Sequence, residues 1–283
     1  MEFPKPMNPS AQAIRPLLLK PHGGELDFSE MWRYRNLLYF LCWRDVKVRY
    51  KQTVLGASWA LIQPLFTTIV FTFIFGKIAQ IPSDGIPYPL FSLAALIPWT
   101  YFSGALTRST TSVVNNAHLI SKIYFPRLLI PLSATLPGIL DFSISLVVLF
   151  GFMFYMGRPP SPMVLVSVPL CFLWMFVLVF GTSLWLGTFH VKFRDVGHAL
   201  PFFTQLWMYV SPVIFPTSYI PEKYRWLALL NPLTGIIETF RATLFSTPIP
   251  RQAIAISLWQ TIFVTLTGIY FFQRRSQTFA DIV

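Results

Sequence analysis

Charge is what this chain has little of. Only 12% of its 283 residues are Asp, Glu, Lys or Arg, about half the share usual in a soluble domain. So few polar groups cannot cover a water-facing globule. With 54% hydrophobic residues and a mean hydropathy of +0.56, the apolar surface must face lipid. Acids are scarcest, and the net charge is +11. A basic balance alone suggests nucleic acid, but the Lys and Arg residues sit in short patches between long uncharged runs. That pattern excludes a nucleic-acid partner and fits a membrane protein with a basic cytoplasmic side.

Cysteine is nearly absent. Cys42 and Cys171 form no CxxC pair, so no disulfide framework or zinc site is expected. The four histidines, His22, His118, His190 and His198, show no metal-ligand spacing. No catalytic, metal or cofactor site is assigned to the chain. Residues 1–28 are polar and rich in proline (Pro4, Pro6, Pro9, Pro16, Pro21) and lack the apolar core of a signal peptide. They are read as a mobile cytoplasmic tail.

What the chain has is long uncharged runs. A helix needs about 20 apolar residues to cross the hydrocarbon. Stretches free of charge, one of them broken only by Asp141, place six spans near 55–75, 89–107, 130–156, 163–189, 199–216 and 253–272. The uncharged piece from Trp226 to Ile237 is too short to cross and carries Asn231-Pro232 and Gly235. It is read as a re-entrant or interfacial hairpin between spans five and six. The expected fold is therefore an all-α integral membrane protein. With both termini cytoplasmic, sixteen Lys and Arg residues fall inside and six outside, which sets that orientation.

Residues 29–53 precede the six-span domain, 54–283. Ser29 and Glu30 suit a helix start, with a capping oxygen and an acid at the positive dipole end. The segment MWRYRNLLYFLCW (31–43) is apolar and aromatic, with two arginines and no acid. Arg44, Lys47, Arg49 and Lys51 follow it. The whole reads as an amphipathic helix in the cytoplasmic interface, its basic patch facing anionic headgroups. Asp45 inside that patch does not help lipid binding; it suits fixing the register of a docked cytosolic partner.

Asp141 is the one acid well inside a predicted span. It is either functional, the default for an intramembrane acid, or a structural residue hydrogen-bonded near Ser143 and Ser145. Trp59, Phe66 and Phe73 recur every seven residues on one face of the first span. Trp99 and Tyr101 lie in the second span, Trp207 and Tyr209 in the fifth. These aromatics serve lipid contact and packing, or they wall a path along which the apolar faces of sugar rings slide. Glu238 and Arg241, three apart, pair on one helix face, either as a surface pair or as part of a periplasmic gate.

The string WRDVKVRYKQTVLGASWALIQPL (43–65) resembles the permease subunits of type-2 ABC exporters of cell-surface polysaccharide, the O-antigen, lipopolysaccharide and teichoic-acid exporters. NNAHLISKIYFPR (115–127) and VKFRDVGH (191–198) resemble that family's cytoplasmic loops, and SPVIFP (211–216) and LNPLTGIIETFR (230–241) its periplasmic re-entrant region. The resemblance runs from about residue 30 to the C-terminus. It implies a homodimeric permease in the bacterial inner or plasma membrane, with two ATPase subunits that bind ATP and Mg, moving a lipid-linked polysaccharide. It also implies ATPase contacts at Arg44, Asp45, Arg49 and Asn116 through Lys122. No GxxxxGK[ST] phosphate loop occurs in the sequence, which fits a division of labour in which this chain is no enzyme.

Three other readings stand beside it. A type-2 ABC permease for a small or lipidic substrate shares the layout. A membrane glycan polymerase or ligase needs outer-loop carboxylates or histidines, and the loops after spans one and three offer only Asp84. An ion-coupled carrier wants more intramembrane acids than Asp141.

Overall fold

The computed structural model describes residues 28–51, 58–120, 122–276 and 279. The expected N-terminal tail, up to residue 27, and residues 55–57 of the expected first span lie outside them. Among the described residues the chain is helical, without strands. Helices α1 (Phe28–Arg33) and α2 (Arg35–Tyr50) are followed by α3 (Trp59–Phe71), which continues as a π-helical turn over Thr72–Ile78. Then come α4 (Tyr88–Asn115), α5 (Ala117–Ile120), α6 (Leu129–Thr135), α7 (Gly138–Tyr155) and α8 (Val164–Lys192). The chain ends with α9 (Asp195–Val210), α10 (Arg225–Leu229), α11 (Pro232–Phe245) and α12 (Arg251–Ser276).

Among the described residues, five stretches are long and apolar enough to cross a membrane: Trp59–Ile78, Tyr88–Asn115, Leu129–Tyr155, Val164–Lys192 and Arg251–Ser276. They match five of the six expected spans. The remaining one, 199–216, is not a single helix. Ser211 precedes Pro212 and is extended (φ −93°, ψ 154°), as a residue before proline prefers. The 16 residues of α9 then rise only about 24 Å, short of a hydrocarbon core of about 30 Å. The second span also differs, because α4 runs past the expected limit at residue 107 and carries Arg108 inside the helix.

α4 is the central element and packs against α3, α6, α7, α8, α9 and α11. It is buried all round from Leu90 to Trp99 and on one face beyond, with Leu90, Ala94, Ala95, Ile97, Phe102, Ala105 and Leu106 fully enclosed. Its alanines let neighbouring backbones come close. The outer helices bury one face and expose apolar residues on the other, among them Phe66 and Phe73 on α3 and Trp259, Phe263 and Leu266 on α12. That inversion is expected where lipid is the solvent. Buried hydroxyls join the helices: Ser109 donates to Ser183 at 2.7 Å, and Trp174 Nε1 to Thr261 at 2.9 Å.

α8 and α12 touch through small residues. A Cβ at Gly181 would lie 2.5 Å from the Thr265 backbone, and one at Gly268 would lie 2.5 Å from the Gly181 carbonyl oxygen. Neither backbone can give way without separating the helices. Gly268→Val is therefore expected to cost about 1–3 kcal/mol, read as a lower melting temperature in mild detergent. An unchanged melting temperature would show that the two helices tolerate separation.

The Asn231-Pro232 break expected from the sequence ends α10 and starts α11. Asn231 caps α11, its side chain accepting from Leu233 N at 3.1 Å, and Pro232 takes the first helical position. The same side chain accepts from Trp207 Nε1 at 3.0 Å and donates to Ser211 at 2.8 Å, tying α9 to α11.

Candidate functional site

α2 is held to the body at both ends. Near its start the Tyr34 hydroxyl donates to the Tyr124 carbonyl at 3.3 Å. Along its length Leu41 is fully buried, and Leu37 and Leu38 pack on a cluster that includes Ile120, Phe125, Leu129 and Val191. At its end Arg49 forms an ion pair with one oxygen of Asp141, and the Tyr50 hydroxyl donates to the other. Burial, reinforced by the Asp141 hydrogen bond, pushes the Tyr50 phenol up to about 12, so it stays a neutral donor at physiological pH. The opposite side of this segment exposes Trp32, Tyr39, Phe40, Trp43 and Val48.

Asp141 lies in the first turn of α7. Its partners are on α2, some 90 residues back, rather than the nearby Ser143 and Ser145. Ser143 donates to the Ile139 carbonyl, and Ser145 to the Ala60 carbonyl of α3. The intramembrane acid therefore ties the helix before the first span to the third.

A cavity of about 290 Å³ opens beside this tie, between α2, α3, α4 and α7. Arg49, Tyr50, Asp141, Trp59, Tyr101 and Arg108 are in its wall. A second cavity, of about 460 Å³, lies between α2, the end of α4 and α6. Arg44, Asp45, Arg49 and Asn116 all line it, so these four expected coupling residues share one groove. Arg44 and Asp45 pair at 2.8 Å, and Asn116 Nδ2 donates to the Ser112 carbonyl at 2.8 Å. Lys122 is exposed and away from that lining. Arg108 lines both cavities. Along the sequence its one signal is a lone cation at the edge of an apolar run.

The seven aromatic candidates do not share one surface within a single chain. Trp59 and Tyr101 share the smaller cavity. Phe66 and Phe73 face outward on α3, and Tyr209 is also exposed. Trp99 is buried against Phe102, and Trp207 packs edge-on to Phe102 at 5.1 Å.

Glu238 and Arg241 do pair, at 3.6 Å, but not on the surface, since the Arg241 side chain is 3% exposed. Its Nε donates to the Phe91 carbonyl at 3.2 Å, Nη1 to Pro212 at 2.6 Å and Nη2 to Val213 at 2.9 Å. The guanidinium also lies 3.5 Å from the Phe91 ring centroid. Burial lowers the Arg241 group to about 10, against the opposing pull of Glu238; it remains charged at neutral pH. Burial likewise raises Glu238, with Arg241 opposing. The pair clamps α4, the segment after α9 and α11 together.

Comparison with known proteins decides the family. Residues 36–245 match the ABC-2 type transporter membrane family. The chain belongs to that family. This ABC-2 type transporter is 31% identical over 250 residues to the O-antigen export system permease protein RfbA of Klebsiella pneumoniae, covering 88% of this chain and 95% of the relative. It is 27% identical over 256 residues to the RfbA permease of Myxococcus xanthus, covering 89% and 97%. Similarity to the polysialic acid transport protein KpsM of Escherichia coli is 24% over 198 residues, 70% of this chain and 77% of that one. The ABC-2 match takes in α2, both cavities and the Arg241 clamp. It ends with α11, before α12.

Proposed function

We propose that this chain is the permease subunit of an ATP-driven exporter of polysaccharide. The observation that carries the reading is similarity to O-antigen export permeases over nearly the full length of both chains. The polysialic acid transport protein supports the same substrate class. Two copies assemble with two ATPase subunits, which bind ATP and Mg, in the bacterial inner or plasma membrane. A lipid-linked polysaccharide, an O-antigen, a teichoic acid or a similar polymer, passes between the copies.

In this proposal both termini are cytoplasmic, as the Lys and Arg asymmetry favours. α9 and the buried segment after it make the fifth of six crossings, and α10 and α11 re-enter from the outer side, with Glu238 and Arg241 at the outer gate. Residues 1–28 form the tail, 29–53 the amphipathic interfacial helix and 54–283 the spanning domain. The ATPase docks on the groove lined by Arg44, Asp45, Arg49 and Asn116, with Lys122 at its edge. Fastened at both ends, α2 passes the ATPase movement to α7 through Arg49 and Asp141. The exposed aromatics of α3 supply a face along which sugar rings move.

The test is co-purification in mild detergent with the ATPase encoded beside it, followed by ATP turnover and export of the glycan in cells lacking the chain. A stable complex whose loss leaves the polymer inside is expected. Absence of any ATPase complex would overturn the exporter reading.

A further inference from the structure

The smaller cavity holds an unbalanced charge. Arg49 and Arg108 bring two positive charges, and Asp141 brings one negative. Both oxygens of Asp141 are already engaged, by Tyr50 and Arg49. Arg108 is carried inside the α4 span, and its Nε is buried without a hydrogen-bond partner among the described residues. A buried guanidinium nitrogen lacking an acceptor is costly in a membrane-embedded helix, and intramembrane charges mark ligand paths.

The backbone is shaped to admit that guanidinium. A Cβ on Gly138 would lie 2.9 Å from Arg108 Nη2, and one on Gly104 would lie 3.1 Å from Nη1. Two glycines on different helices thus leave a bed that an alanine at either position would crowd. A guanidinium is a planar fork of donors suited to two oxygens of one phosphate. The volume, about 290 Å³, lies at the small end of ligand sites and suits a headgroup rather than a polymer. Trp59, Pro64 and Phe142 supply an apolar wall beside the charges.

We propose that this cavity binds a phosphate group, borne by a lipid or free in solution, with Arg108 as its main ligand and Arg49 as the second. Phosphate competes with Asp141 for Arg49, so filling the cavity loosens the tie between α2 and α7. The inference deepens the export reading, in which a lipid-linked substrate supplies the phosphate.

The experiment is isothermal titration of the purified full chain in mild detergent with farnesyl phosphate, inorganic phosphate and farnesol. Farnesyl phosphate is expected to bind, farnesol is not, and Arg108→Gln is expected to weaken binding at least about tenfold, the scale of one charge-assisted contact. Arg108→Lys keeps part of the affinity, and Arg158→Gln, outside the cavity, leaves it unchanged. If inorganic phosphate binds as tightly and displaces farnesyl phosphate, the site takes the free anion; if it does not, the site takes the lipid headgroup. Either result supports a phosphate site. Equal binding of farnesol, or an Arg108→Gln protein that binds like wild type, overturns it. Should that variant fail to purify, ligand-induced stabilisation of the wild-type chain decides, and no rise in melting temperature with either phosphate rejects the site. Phosphate binding without an ATPase complex would leave this site standing while the export reading fell.

Discussion

Arg241→Met is expected to lower the melting temperature of the detergent-purified chain by about 10 °C, the equivalent of about 3–5 kcal/mol. Methionine keeps the unbranched apolar stem of arginine but supplies no donors. The carbonyls of Phe91, Pro212 and Val213 all lose their Arg241 bonds, and the half-buried Glu238 stays beside them without its cation. Each stranded polar group adds a desolvation cost, and the removal of one partner of a buried pair costs more than removal of both. Glu238→Gln is expected to cost far less, because Arg241 keeps its three carbonyls. Arg241→Lys falls between, since an ammonium cannot reach three diverging oxygens in a plane. A melting temperature for Arg241→Met close to wild type would show that the clamp does not hold the outer segments. The same order among the three variants is expected for the amount of protein recovered from the membrane.

Arg49→Glu is expected to cut export on the order of tenfold, a coupling loss of ordinary size between two sites. The substitution sets a second carboxylate against Asp141, where an ion pair and the Tyr50 hydrogen bond fasten the end of α2 to α7. Arg49 is 38% exposed, so the pair adds little to stability, and the loss should appear in coupling rather than in melting. The double variant Arg49→Glu with Asp141→Arg reverses the pair and is expected to recover part of the export. No recovery, with both single variants folded, would mean that Arg49 acts through contacts other than Asp141. Polymer export in cells lacking the wild-type chain, measured beside ATP turnover of the complex, separates these outcomes.

Much of this architecture is legible along the chain because lipid makes a local demand. About 20 apolar residues in a row either occur or do not, and five such runs became the five long helices. Asn231-Pro232 was equally readable, since a capping amide followed by proline marks a helix start wherever it lies. The second span was read too short because a count of uncharged residues stops at Arg108. The helix does not stop there, since a bed between Gly104 and Gly138 receives the guanidinium. The span over 199–216 was read as continuous because proline is uncharged, although Pro212 makes Ser211 extended and ends α9.

By itself, then, the sequence determined that the chain is helical and lipid-facing, where its long helices apart from α4 begin and end to within a few residues, and which family pattern it carries. Those properties rest on the solvent and on neighbours a few residues apart. The tertiary structure decided what the isolated charges do. Asp141 meets Arg49 and Tyr50, Arg241 meets three carbonyls on two other segments, and Arg108 faces a cavity with its Nε unpaired. These partners lie 28 to 150 residues apart. Only helix packing brings them together, and the cost of leaving a charge unpaired out of water then fixes which contacts form.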